Sequence, residues 1–150
     1  MPIPERFVEA LGAAAVLHLV APIRLPLPGP MRLVGVSLLA AGAGLAGWAV
    51  ASAGETSVDR TDALVTSGAY AQVRNPMYVG WGAGVLGLAL ATRSPWLVLL
   101  WAHSMRAVHG EVLAEERLLA DRFGARYAAY RSQTPRYAPA RILPAWPNIA

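Results

Sequence analysis

The chain begins as a series of apolar runs separated by short breaks. The first run is about Phe7–Ile23, closed by Pro22 and the turn-forming stretch PIRLPLPGP. The second, Leu33–Ala53, carries no charge and is rich in Gly and Ala, a composition that suits close helix packing in lipid. The third is about Met77–Thr92 and the fourth about Pro95–Val108, with only Thr92-Arg93-Ser94-Pro95 between them. Such spacing predicts a tight hairpin in which Pro95 opens the return helix. Sixteen residues rise only about 24 Å, so these last two spans are short for a bilayer. From Gly110 to Tyr130 the pattern turns amphipathic, with Val112, Leu119, Phe123 and Tyr130 approximating one apolar face. Residues 131–150 hold too many prolines for a helix and read as an extended tail. The expected fold is all-α: a single membrane domain over 1–150, with four spans, a cytosolic amphipathic helix and a Pro-rich tail.

Composition supports this class. The chain has 150 residues, 55% hydrophobic and 15% charged, with a mean hydropathy of +0.40. Apolar runs near the roughly 20 residues that cross a bilayer imply an integral membrane protein. The first segment carries Glu5 beside Arg6 and shows no convincing cleavage site, so it reads as a retained helix rather than a signal peptide. Zero Cys excludes disulfides and thiolate chemistry. Every basic residue is Arg; with the abundant Ala, Gly and Pro, this hints at a GC-rich bacterial coding sequence and hence a bacterial inner membrane. The net charge of +4 is not clustered into a nucleic-acid-binding surface.

Arginine placement sets orientation. If the N-terminus, the loop 54–76 and everything after the fourth span share one side, that side holds all the arginines except Arg24, Arg32 and Arg93. This bias predicts cytoplasmic termini and puts the loop and the amphipathic segment on one cytosolic face.

Two clusters on that face carry candidate chemistry. Asn75 followed by Pro76 is a helix-start signal. The same helix end offers unpaired N–H groups and a positive dipole to an anion, and Arg74 adds a full charge. Tyr78 and Trp81 also fit an interfacial aromatic belt. Glu111, Glu115 and Glu116 open the amphipathic segment. Glu111 and Glu115 are like charges one turn apart, and neither Glu115 nor Glu116 has an Arg four residues on. A zwitterionic ligand with a carboxylate and an amine or sulfonium, such as S-adenosylmethionine (SAM), suits both clusters. Gly82, Gly84 and Gly87 fit close packing better than a lateral opening. His18 lies mid-span and is a functional candidate or a hydrogen-bonded neutral His. His103 and His109 match no metal-ligand spacing, so no metal is expected. Arg106 fits the headgroup layer or a pair with Glu115.

The segment GAYAQVRNPMYVG resembles the G-x-Y-x-x-x-R-H-P-x-Y-x-G signature of the isoprenylcysteine carboxyl methyltransferase and phospholipid methyltransferase family. EERLLADRFGARYAAYRSQTPRYAP is similar to that family's E-E-x-x-L-x-x-x-F-G-x-x-Y-x-x-Y stretch with its trailing proline. The resemblance covers roughly Thr61 to Pro139. It implies an integral-membrane enzyme that transfers the SAM methyl group to a lipid-like or apolar acceptor. By matching position, Arg74, Asn75, Pro76, Tyr78 and Gly80 would line the cofactor site. Glu115 and Glu116 would hold the methionine amino end or order nearby arginines, and Gly68 and Tyr70 would shape the approach loop. The family's His is Asn75 here, which can hydrogen-bond but cannot take up a proton. No catalytic base is assigned. Competing readings are a membrane NADPH-dependent reductase of the sterol reductase type and a non-catalytic lipid-binding relative. The acceptor (prenylcysteine, phospholipid amine, thiol or isoprenoid) and the oligomeric state stay open.

Overall fold

The structure, a computed structural model, describes residues 5–57 and 63–138. Among them every regular element is helical: α1 (Glu5–Val20), α2 (Pro30–Ser57), a 3₁₀ turn (Gly68–Ala71), α3 (Pro76–Thr92), α4 (Pro95–Phe123) and α5 (Ala125–Gln133). The far tail from Pro139 onward, and Arg60 in the loop, lie outside the described residues.

The α3–α4 hairpin forms where Pro95 and its neighbours predict it. Arg93 takes the left-handed conformation at φ 57°, closing α3, and Ser94 caps α4 by accepting from the Leu97 N–H at 3.4 Å. Pro95 then sits at the first position of α4, where its missing N–H costs nothing. The turn is held by α1 and its trailing strap: Leu25 N–H donates to Arg93 O, and the Trp96 indole donates to Ala21 O, both at 2.8 Å. At the other end Phe7 stacks on Trp81, with ring centroids 6.3 Å apart. The starts of α1 and α3 and the end of α2 therefore meet at one end of the bundle.

Small residues set the α2–α3 seam. A Cβ added to Gly42 would lie 2.5 Å from both Gly80 O and Gly84 N, and one on Gly80 would lie 2.7 Å from Ala46 N. Those are backbone atoms, which cannot move aside as a side chain would. Gly87 faces Leu39 and Gly35 in the same way, whereas Gly84 meets only the Leu39 side chain at 3.8 Å. The glycines chiefly serve close packing, as expected from sequence. Gly42→Ala should thus force the two helices apart and destabilise the bundle by about 1–3 kcal/mol. A lowered melting temperature in detergent would register it; an unchanged one would mean the seam is looser than it looks.

Two expectations need correction. The fourth span and the amphipathic helix are one element: α4 runs 29 residues without interruption, about 43 Å. Gly110 does not break it, since a single interior Gly costs only about 1 kcal/mol. The break falls at Gly124, whose φ of 50° ends the helix and admits α5. The first helix stops at Val20, before the proline stretch, and the second extends to both sides of its predicted limits. By length and composition only α2, over Pro30–Gly54, meets the requirement for a membrane span among the described residues. Only 17% of its most apolar window is buried, so it is no core helix of a soluble domain. Phe7–Val20 and Pro76–Thr92 are apolar but shorter. Leu19, Val20, Leu33, Trp48 and Leu99 stand exposed along these helices.

Candidate active site

The buried positions of α4 recur every four residues: Ser104, Val108, Val112, then Glu116. That stripe turns a carboxylate into the protein at its last step. A buried carboxylate needs partners, and it finds two arginines far away in sequence. Arg74 donates to Glu116 Oε1 through Nε at 3.1 Å and Nη2 at 3.0 Å. Arg136 adds a two-pronged grip, Nε to Oε1 at 2.9 Å and Nη2 to Oε2 at 2.8 Å. The Arg74 and Glu116 side chains retain only 8% and 9% exposure. Arg74 Nη1 also donates to the carbonyls of Arg131 at 3.1 Å and Thr134 at 2.6 Å, and its backbone N–H to Pro135 O at 2.8 Å. The cluster staples the strap after α5 onto the loop before α3.

Asn75 occupies the N-cap position of α3 but makes no capping bond with its side chain. Its amide instead donates to Arg136 O at 3.5 Å, which its φ of −127° and ψ of 56° permit. Arg74 is likewise not a free charge awaiting an anion, because Glu116 and two carbonyls take up its donors. Nor is Glu116 unpartnered; it orders two arginines. Sequence reasoning saw no Arg one turn away and could not see one 42 positions away.

Glu115 is different. One residue on, it is turned about 100° around the helix and emerges toward solvent. It makes no hydrogen bond or ion pair among the described residues. It borders two adjoining hollows, of about 200 and 300 Å³. Tyr70, Arg74 and Asn75 line both; Pro76 and Tyr78 line one, and Glu116, Tyr127 and Tyr130 the other. Seven of the nine residues singled out from sequence thus converge here. Gly68 and Gly80 do not line the hollows. Gly68, at φ 58°, lies where a side chain would strike Ser52, whose hydroxyl accepts from Ala69 N–H at 3.1 Å. It lets the loop dock on α2, and Gly80 lets α3 do so.

Three tyrosines complete the walls. Tyr130 donates to Tyr70 O at 2.7 Å, and burial drives its pKa up to about 12, so it stays neutral. Tyr127 is 2% exposed, and its hydroxyl has no hydrogen-bond partner among the described residues. Tyr127, Tyr130 and Arg136 were not singled out from sequence. The signal was present in the Y-x-x-Y spacing after Gly124 and in the lone Arg after Pro135.

The two adjacent acids titrate in opposite directions. Burial alone would raise the Glu116 pKa, but hydrogen bonds from Arg136 and Arg74 outweigh it and hold the carboxyl below its usual value. Desolvation, with Glu116 next door, pushes Glu115 up. A depressed folded pKa contributes stability at pH above the unfolded value and loses it as pH falls through the folded one. Glu115 acts inversely: its raised pKa lowers stability once it ionises. Acid titration should therefore leave the fold intact through the ordinary carboxylate range and unfold it only below that. Circular dichroism against pH checks this, and Glu116→Gln should remove the acid limb. Loss of structure near neutrality would contradict it.

Among the described residues no group of three or more His, Cys, Asp or Glu is placed to share a metal ion.

Comparison with known proteins locates this arrangement. A family model described as phospholipid methyltransferase matches residues 31–126. The chain is also 35% identical over 81 residues to the cobalt-zinc-cadmium resistance protein CzcN of Cupriavidus metallidurans, covering 53% of this chain and 37% of that one. The chain thus spans little over a third of the length of this curated relative. No solved structure matches.

Proposed function

Because this chain belongs to the phospholipid methyltransferase family, we propose that it is a membrane methyltransferase that binds SAM in the paired hollows and passes its methyl group to a lipid-like or apolar acceptor. The observation that carries this reading is the Glu115 carboxylate, without a hydrogen bond or ion pair among the described residues, at the border of two adjoining hollows that Tyr70, Arg74 and Asn75 also line. When bound, SAM supplies an electrophilic methyl on a sulfonium. Glu115 offers the negative charge for its cationic end, and the partly exposed rings of Tyr70 and Tyr130 offer cation–π and stacking surface. Arg74 and Glu116 act one step back, fixing the loop and strap that form the walls. Asn75, in place of the family's His, serves this same stapling through Arg136.

The acceptor side lies toward the bilayer. We place α1 to α3 and the first half of α4 in the membrane, with the hollows at the cytosolic surface. An apolar furrow of about 300 Å³ between α1, α2 and α3, floored by Gly84 and Val85, gives a lipid chain a lateral path. The enzyme mainly aligns two reactants and keeps water out, which is where much of the rate comes from in such a displacement. The family match does not favour the reductase reading.

The test is incubation of detergent-solubilised protein with methyl-labelled SAM and total bacterial lipid, alongside SAM binding by calorimetry. Binding plus label in an extractable lipid is the expected result. No binding of SAM would sink the proposal.

A further inference from the structure

His18 takes no part in the transferase reading, yet an ionisable side chain at membrane depth usually has a task. It lies in the last turn of α1, at the level where α3 ends with Thr92 and Ser94 caps α4. These three residues line a hollow of about 240 Å³ whose other walls include Leu11, Leu88 and Leu97. His18 Nδ1 is sealed in with no partner; Nε2 is not sealed and makes no hydrogen bond among the described residues. A neutral ring with its proton on Nε2 strands only a lone pair at Nδ1 and leaves an N–H for the hollow. Ser94 Oγ accepts from the Leu97 N–H at 3.4 Å, which leaves its own proton to donate. Thr92 donates to Leu88 O at 2.7 Å. The hollow thus offers two hydrogen-bond donors in apolar surroundings, a setting for an uncharged acceptor oxygen.

Charge supplies the second half of the argument. Arg24, Arg32 and Arg93 belong to this end of the bundle, and residues 10–54 and 76–110 hold no Asp or Glu to answer them. Arg93, between Thr92 and Ser94, is half-buried, and its guanidinium makes no ion pair or hydrogen bond among the described residues. The strap that carries Arg24 is tied here, Leu25 N–H donating to Arg93 O at 2.8 Å. We infer that this hollow is a second lipid site, which holds a glycerophospholipid of the leaflet opposite the SAM hollows, its ester carbonyl on His18 and Ser94 and its phosphate on Arg93. The inference rests on the placement of the helices in the membrane, not on the methyl transfer. Depth agrees with it, because ester linkages mark the edge of the hydrocarbon core and three chain segments end or begin at this level. Leu11 and Leu88 also wall the furrow between α1, α2 and α3, so an acyl chain has an apolar path onward from the ester. The bound lipid satisfies the imidazole and ties the end of α1 to the α3–α4 turn.

The experiment compares wild type, His18→Phe and Arg93→Asn, each delipidated in detergent and titrated with phosphatidylglycerol or with its dialkyl ether analogue, which lacks the carbonyls. Native mass spectrometry counts bound lipid, and thermal unfolding follows stability. Phenylalanine keeps a ring and removes both nitrogens; asparagine removes the charge and tolerates the positive φ of residue 93. Wild type should bind the ester lipid and melt higher with it, and bind the ether analogue about tenfold more weakly, the scale of one hydrogen bond. His18→Phe should bind the two lipids alike and, without lipid, melt no lower than wild type, since no unpaired nitrogen is left in the hollow. Arg93→Asn should weaken both lipids together and keep the ester preference. SAM affinity should be unchanged in both variants, so its loss from wild type would count against the transferase reading alone. The inference falls if wild type binds neither lipid, if ester and ether bind it alike, or if His18→Phe keeps the ester preference. A His18→Phe protein that only melts lower, with that preference intact, would make His18 a packing residue.

Discussion

Glu116→Ala should cost about 3–5 kcal/mol, the usual consequence of stripping one partner from a buried ion pair. The loss exceeds what the carboxylate itself contributes, because Arg74 would stay buried at 8% exposure with no counter-charge. Arg136, at 30%, can turn to water. The strap from Thr134 to Tyr137 would then lose its ionic hold on α4, leaving the His109–Tyr137 hydrogen bond and the Arg74 bonds to the Arg131 and Thr134 carbonyls to retain it. Thermal unfolding in detergent measures the loss, and limited proteolysis after α5 reports the strap. A drop of under 1 kcal/mol would show that the cluster is not what joins the two halves of the site. Arg136→Ala supplies a graded comparison, since it leaves Glu116 with Arg74 and should cost less.

Glu115→Gln, one residue away, should do nearly the reverse. The protein should melt as wild type or slightly higher, because a raised carboxylate pKa marks a charge the fold disfavours. SAM binding and methyl transfer should fall together, the latter by at least about 100-fold, as expected when a preorganised charge is removed from a site. Isotope-labelled transfer and calorimetric binding measure this. Full activity in Glu115→Gln would remove that carboxylate from the cofactor site. In wild type, binding should also weaken on acidification while the fold is still intact, since Glu115 takes up its proton before Glu116 does.

Adjacent acids with opposite roles are a good measure of what sequence carries. The start of α3 at Pro76 and the hairpin at Pro95 were legible because proline constrains only its own neighbourhood. The two clusters were correctly sensed as belonging together. Which glutamate faces Arg74 was not legible, because that depends on helical phase counted from a buried stripe beginning at Ser104. Phase was obscured by reading Gly110 as a boundary, which reset the count. Asn75 does stand at the start of α3, but the turn of its side chain away from the cap was not legible for a similar reason: its partner, the Arg136 carbonyl, lies 61 residues on. The Y-x-x-Y spacing marks Tyr127, but it cannot show that the hydroxyl is left without a partner, since being orphaned is a property of the packed state.

The unbroken α4 has one more consequence. A straight helix converts residue count into both depth and rotation, 1.5 Å and 100° at a time. Adding one residue anywhere between Val108 and Glu115 would swing Glu116 off the arginines to where Arg117 now stands and bring Glu115 into its place, leaving Ala114 where Glu115 borders the hollows. A longer rod keeps Glu116 on the arginines only if residues are added in near-integral turns, each moving the cluster about 5 Å along the helix axis.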